Sequence, residues 1–259
     1  MLAQEDSATG PMLVHYLPIA TTLLSVAFLI ALLRRRSIVG LPPHLLWWAI
    51  GIVTYGAGTA LESAITLFGN SAELTRWWYV AGALLGGYPL GTGSVYLLCS
   101  RSVANRLTWI SGTVVIGLAV AVVLSPIDHA ALEPHRPTGD AIGWSQLRLG
   151  TPFINGYAAL FLVGGALWST FRFVRPLPGQ VADGRRALGT AAIAIGGILP
   201  GVGGGMAKAG IVEALYVGEF VGLVLIWSGH ALCSRRPVKC DASRPERAAS
   251  DGLSVSVAE

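Results

Sequence analysis

Glu62, Lys208 and Glu219 are the residues best placed to do chemistry, because each interrupts a long apolar stretch. A charge at the centre of a bilayer costs about 2.5 to 3.5 kcal/mol on insertion scales, so an ionisable residue there is a functional candidate. Glu62 and Glu219 each fall about two helical turns from the same end of the expected bundle, and Lys208 within about one turn of it. Similar depth allows pairing, and paired charges cost less than isolated ones. Two carboxyls at that depth suit the binding of a proton or of a cationic or polar substrate, with Lys208 as counter-ion or anion contact. The structural alternatives are a salt bridge that pins helices together and a lysine that snorkels to the headgroups.

The segment that carries Lys208 reads GGILPGVGGGMAKAG. Pro200, Gly201 and Gly203 are expected to break this helix, and broken backbone inside a membrane must be buried in protein or line a cavity. Discontinuous helices at a repeat interface often form transporter sites. Small residues also let helices pack closely, which is the competing reading of this run and of Gly82, Gly86, Gly87 and Gly91. The run lacks the GxxxxGK[ST] spacing of a phosphate loop.

Other chemistry-bearing residues read as structural. Asp128, His129, Glu133 and His135 are types that bind divalent metals, but Pro134 interrupts them and no pair of histidines has helical spacing, so a solvated loop is expected. His44 and His230 lie near the other end of their helices, where interfacial hydrogen bonding is expected rather than haem ligation. Cys99, Cys233 and Cys240 form neither a disulfide framework nor a zinc pattern. No Ser-His-Asp set assembles at one depth, no metal site is expected, and no catalytic residue is assigned.

The elements that must position these residues are membrane helices. The 259 residues are 53% hydrophobic and only 12% charged, with mean hydropathy +0.61. A soluble domain is about 25% charged, so a soluble globular enzyme, a disordered chain and a small disulfide scaffold are excluded, and no nucleic-acid partner is expected. Seven stretches reach the roughly 20 apolar residues a crossing requires: about 17–33, 45–68, 77–98, 107–127, 152–173, 187–209 and 212–232. The N-terminal MLAQEDSATGPM has no basic region, so no cleaved signal peptide is expected. The domain reading is a seven-helix membrane domain, 1–233, and a polar, disordered cytoplasmic tail, 234–259.

Charge placement sets the expected threading. One face of the membrane receives Arg34, Arg35 and Arg36, Arg101 and Arg106, Arg172 and Arg175, Arg185 and Arg186, and five more after Ser234. The other receives only Arg76, Arg136, Arg148 and Lys208, which makes 14 against 4. The positive-inside rule then places the N-terminus outside and the C-terminus in the cytoplasm. Trp77 and Trp78, and Trp47 and Trp48, fall near helix ends, where indoles anchor at the interface.

An internal repeat is also legible. The third stretch runs from Tyr79-Val80 to Leu98-Cys99-Ser100-Arg101, and the seventh from Tyr216-Val217 to Leu232-Cys233-Ser234-Arg235. Gly56 and Gly58 precede Glu62, as Gly201 and Gly203 precede Lys208. Two parallel three-helix units joined by an inverting fourth helix are one reading of these matches, and chance sharing of Gly, Leu and Val among apolar helices is the other. This 3+1+3 plan resembles that of SWEET and PQ-loop transporters and of microbial rhodopsins, in helix arrangement alone. The chain has no Pro-Gln dipeptide and no lysine in its seventh stretch, so it carries neither family's signature.

The fold class expected is therefore an all-α integral membrane bundle in a bacterial inner membrane. The function expected is a small-solute transporter or permease with a polar site in the outer half of the bundle. A membrane sensor or accessory subunit, and an enzyme acting on lipid or quinone, are the alternatives. Expected partners are membrane lipids, a small-molecule ligand, and a second copy or partner membrane subunit. No cofactor is identified.

Overall fold

Helix starts in the computed structural model coincide with capping signals in the chain. It describes residues 13–39, 42–178 and 181–234. After a short 3-10 turn, Leu13–Tyr16, the helices are α1 (Leu17–Val39), α2 (Pro43–Phe68), α3 (Ala72–Trp78), α4 (Tyr88–Leu98), α5 (Arg101–Leu124), α6 (Ser145–Ala158), α7 (Gly165–Val174), α8 (Gly184–Lys208) and α9 (Glu213–Ser234). Pro43 opens α2, where its missing N–H is no loss. Ser71, Ser100 and Asp183 each accept a backbone N–H from the first turn of α3, α5 and α8, which satisfies a donor that the helix itself cannot. Among the described residues there is no strand. The tail 235–259 and the segment 1–12 lie outside the described residues.

Among the described residues six helices are long and apolar enough to cross a membrane, and the chain is a multi-pass membrane protein. The third expected crossing is built differently. It is divided into α3, a π-helical turn at Tyr79–Leu84, a bend at 85–87, and α4. Pro89, in the first turn of α4, has no N–H to continue a helix from the preceding turn. A second π-helical turn, Ala159–Gly164, joins α6 to α7 without a bend. Such turns insert a residue into the helical repeat and rotate everything beyond them.

The helix that was expected to break does not. α8 runs unbroken from Gly184 to Lys208 through Pro200. A proline here removes the one N–H that would bond the Gly196 carbonyl. That carbonyl oxygen lies against Gly222 of α9, 2.6 Å from where a Cβ would stand. The Pro200 ring packs on the same glycine, so α9 covers the weakened turn. Farther along, a Cβ on Gly229 would stand 2.3 Å from the Gly189 carbonyl, and one on Gly203 would stand 2.6 Å from the Ala214 carbonyl. Gly189, Gly196 and Gly203 of α8 and Gly218, Gly222 and Gly229 of α9 serve backbone contact, as in other tightly packed membrane helices. Gly201 is exposed and has nothing within 4 Å of its Cβ position.

The bundle core joins both halves of the chain. Phe28 and Leu32 of α1, Ile52 of α2, Leu90 of α4 and Leu223 of α9 form one buried cluster. The Thr22 and Thr59 hydroxyls, 2.9 Å apart, tie α1 to α2. The connection between α5 and α6 is a folded cap with Ala141 and Ile142 buried, rather than an open solvated loop. Asn70 donates to the carbonyls of Glu133 and Arg136, and Asp140 pairs with Arg148. Asp128, His129 and His135 are exposed on the outside of that cap.

Candidate functional site

Close backbone approach assembles a carboxyl site between α2 and α9. Gly58 of α2 meets Gly82 in the π-helical turn so closely that a Cβ on Gly58 would stand 2.7 Å from the Gly82 Cα. This contact seats the end of α3 one turn from Glu62. The indole of Trp78, expected at the interface, instead turns inward and donates from Nε1 to Glu62 Oε1 at 2.7 Å. Glu62 is only 2% exposed. Trp77, its neighbour in sequence, stays half exposed.

Glu219 reaches the same place from α9. Gly218 lies against the Leu199 carbonyl of α8, and the Tyr55 hydroxyl donates to the Glu219 carbonyl at 2.9 Å, which holds α2 to α9. The Glu62 and Glu219 carboxyls come within hydrogen-bonding reach of each other. Oε2 of each is buried and has no donor, and the buried Tyr216 hydroxyl nearby is also unpartnered. Three unpaired polar atoms in one part of a membrane protein are unusual, since buried polar groups are nearly always bonded.

Lys208 stands apart from this pair. It is exposed at the end of α8. The ion pairs among the described residues are Glu73–Arg76, Glu133–Arg136, Asp140–Arg148 and Asp183–Arg186, and none involves Lys208, Glu62 or Glu219. Pro200 lies on α8 beside the residue that abuts Gly218, so it supports the backbone around Glu219 instead of opening a break. Gly203 is buried against α9 and Gly201 is exposed.

At the opposite end of the bundle is a cavity of about 390 Å³. Its wall is drawn from α1, α2, α4, α7, α8 and α9, and none of it from α5. Arg35, His44, Trp48, Arg186 and His230 supply its polar and aromatic surface. Trp48 lies fourteen residues before Glu62 on α2, about 20 Å along the helix, so the cavity and the carboxyl pair are distinct. Between them lies an apolar layer that includes Phe28, Ile52, Leu90 and Ile226.

His230 lies one turn before the end of α9 with its Nε2 3.4 Å from the Ser234 hydroxyl, and it is buried, with its ring 5.7 Å from Phe28 and 5.8 Å from Trp48. His44 approaches Trp48 from the other side at 5.7 Å. The signal available in the sequence was the conjunction of His44, Trp48 and His230 at one depth. Among the described residues no group of three or more His, Cys, Asp or Glu side chains is arranged to hold a metal.

No protein-family model matches the chain, and no curated protein or solved structure matches it.

Proposed function

We propose that this protein is a proton-coupled carrier of a small solute in a bacterial inner membrane. The observation that carries this reading is the facing of Glu62 and Glu219 across α2 and α9, each with a buried oxygen that lacks a donor. One proton between the two carboxyls gives both oxygens what they lack. Releasing it leaves two anions face to face, which repel. Such a pair opposes its own ionisation until α2 and α9 move apart or a solute compensates the charge. Proton occupancy is thereby coupled to helix position, which is what a carrier requires.

Two further features support this reading. By the positive-inside rule the carboxyl pair lies in the outer half and the cavity faces the cytoplasm, so the bundle has the shape of an inward-open carrier. The cavity is also walled by three helical segments from each half of the chain, with α5 as the excluded linker, as a 3+1+3 plan would have it.

The test is proton movement in liposomes that contain the purified protein and a trapped pH-sensitive dye. Amino acids, sugars and organic acids are added outside as separate classes. At least one class should drive proton uptake with the wild type and none with Glu219→Gln, which keeps the shape of the side chain but carries no exchangeable acid proton. Proton uptake that survives in Glu219→Gln, or a wild type silent to every class, contradicts the proposal.

A further inference from the structure

The cavity at the end opposite the carboxyl pair has the chemistry of an anion site with apolar walls. Its volume, about 390 Å³, is within the range of small-molecule pockets. Two guanidinium groups reach it, from the end of α1 and the start of α8. Arg35 donates from Nη1 to the Ser234 carbonyl at 3.0 Å, which fixes the guanidinium while leaving its other N–H groups free of that bond. Arg186 is held by Asp183 through Nε at 3.3 Å and lies 5.9 Å over the Phe173 ring. Its terminal nitrogens are not part of that pair. Asp183 is not itself in the cavity wall, and no carboxylate is among the described residues that line it.

The deeper wall carries the Trp48 ring, whose Nε1 edge is buried against Gly93 of α4 and does not open into the cavity. His44 and His230 flank the same indole, each ring within 6 Å of it. Beyond them the wall is apolar, with Leu45, Leu97, Leu162 and Ile193. A ligand that satisfies all of this has an acidic head and an apolar body.

We infer that this cavity binds an organic anion, a compact acid with an aromatic or branched apolar body, with its charged head at Arg35 and Arg186. This inference stands on the cavity alone and does not require the carboxyl pair to carry protons. The same head chemistry is found on a soluble organic acid and on an anionic lipid, and the test separates these sources.

The full-length protein is placed in nanodiscs of purely zwitterionic lipid, and 2-naphthoate is titrated by calorimetry against 2-naphthamide and 2-naphthylmethylammonium, with empty discs subtracted. The expected result is saturable one-to-one binding of naphthoate only. Loss of charge-assisted hydrogen bonds in the Arg35→Gln, Arg186→Gln double variant should weaken it by at least about tenfold. The amide and amine titrations use the wild type, so they decide the question if the arginine variant fails to fold. Repeating the titration in discs that contain phosphatidylglycerol separates the sources. Unchanged affinity assigns the site to a soluble acid, and competition assigns it to a lipid head. Absence of saturable naphthoate binding in zwitterionic discs overturns the inference. So does equal binding of the amide or the amine, or affinity unchanged in a folded arginine variant.

Discussion

Trp78 donates to Glu62 from a neighbouring segment sixteen residues away, and the bond is possible because Gly58 and Gly82 let the two backbones touch. A carboxylate in the bundle interior thus has a fixed partner at one oxygen and none at the other. Glu219 of α9 stands within hydrogen-bonding reach of the same carboxyl.

Removing the indole donor should destabilise the protein. Trp78→Phe leaves Glu62 Oε1 without its indole donor, and losing a buried partner costs about 1–3 kcal/mol. Thermal melts in detergent read the effect. In a Glu62→Met background the same change should cost much less, because the bond is already absent. Equal costs in both backgrounds would mean that Trp78 stabilises by packing alone.

The glycines of α8 and α9 should divide sharply by position. Gly229→Ala drives a methyl group to 2.3 Å from the Gly189 carbonyl and should destabilise by about 1–3 kcal/mol. Gly201→Ala meets nothing within 4 Å and should be neutral, or stabilising by up to about 1 kcal/mol through helix propensity. Melting temperatures of the two variants check this. A strongly destabilising Gly201→Ala would restore the idea of a break after Pro200.

The threading predicts which positions can be reached from outside the cell. With the native cysteines replaced, His135→Cys and Lys208→Cys should react with a membrane-impermeant maleimide in intact cells. Pro178→Cys, exposed at the basic end, should react only after permeabilisation. The reverse pattern would turn the bundle over and place the cavity outside.

Much of this arrangement was legible in the chain, because the bilayer simplifies the problem. Apolar runs locate the helices, and Glu62 and Glu219 declare themselves by being charges where charges are costly. Their equal depth also pointed to a meeting. Depth says nothing about azimuth, however, so Lys208 was grouped with them although it lies exposed on α8. Pro200 was expected to break its helix, and Pro89 was given no part, for a related reason. Whether a proline breaks a membrane helix depends on what covers the freed carbonyl. Gly222 covers it on α8, whereas the third crossing bends before α4. Trp48 and His230 were hidden because each is an ordinary interfacial residue on its own. Only the convergence of six helices turns them into one cavity wall.

The most direct measurement of the central claim is a comparison of Glu62→Gln, Glu219→Gln and the double variant in the liposome proton assay, with reconstituted protein matched by amount. Two carboxyls that hold one proton between them act as a unit, and the effects of such groups do not add. The expected result is that each single variant abolishes solute-driven proton uptake and the double variant is no worse than either. Partial losses that multiply in the double variant, or uptake retained in either single variant, would show that the two glutamates do not share a proton site.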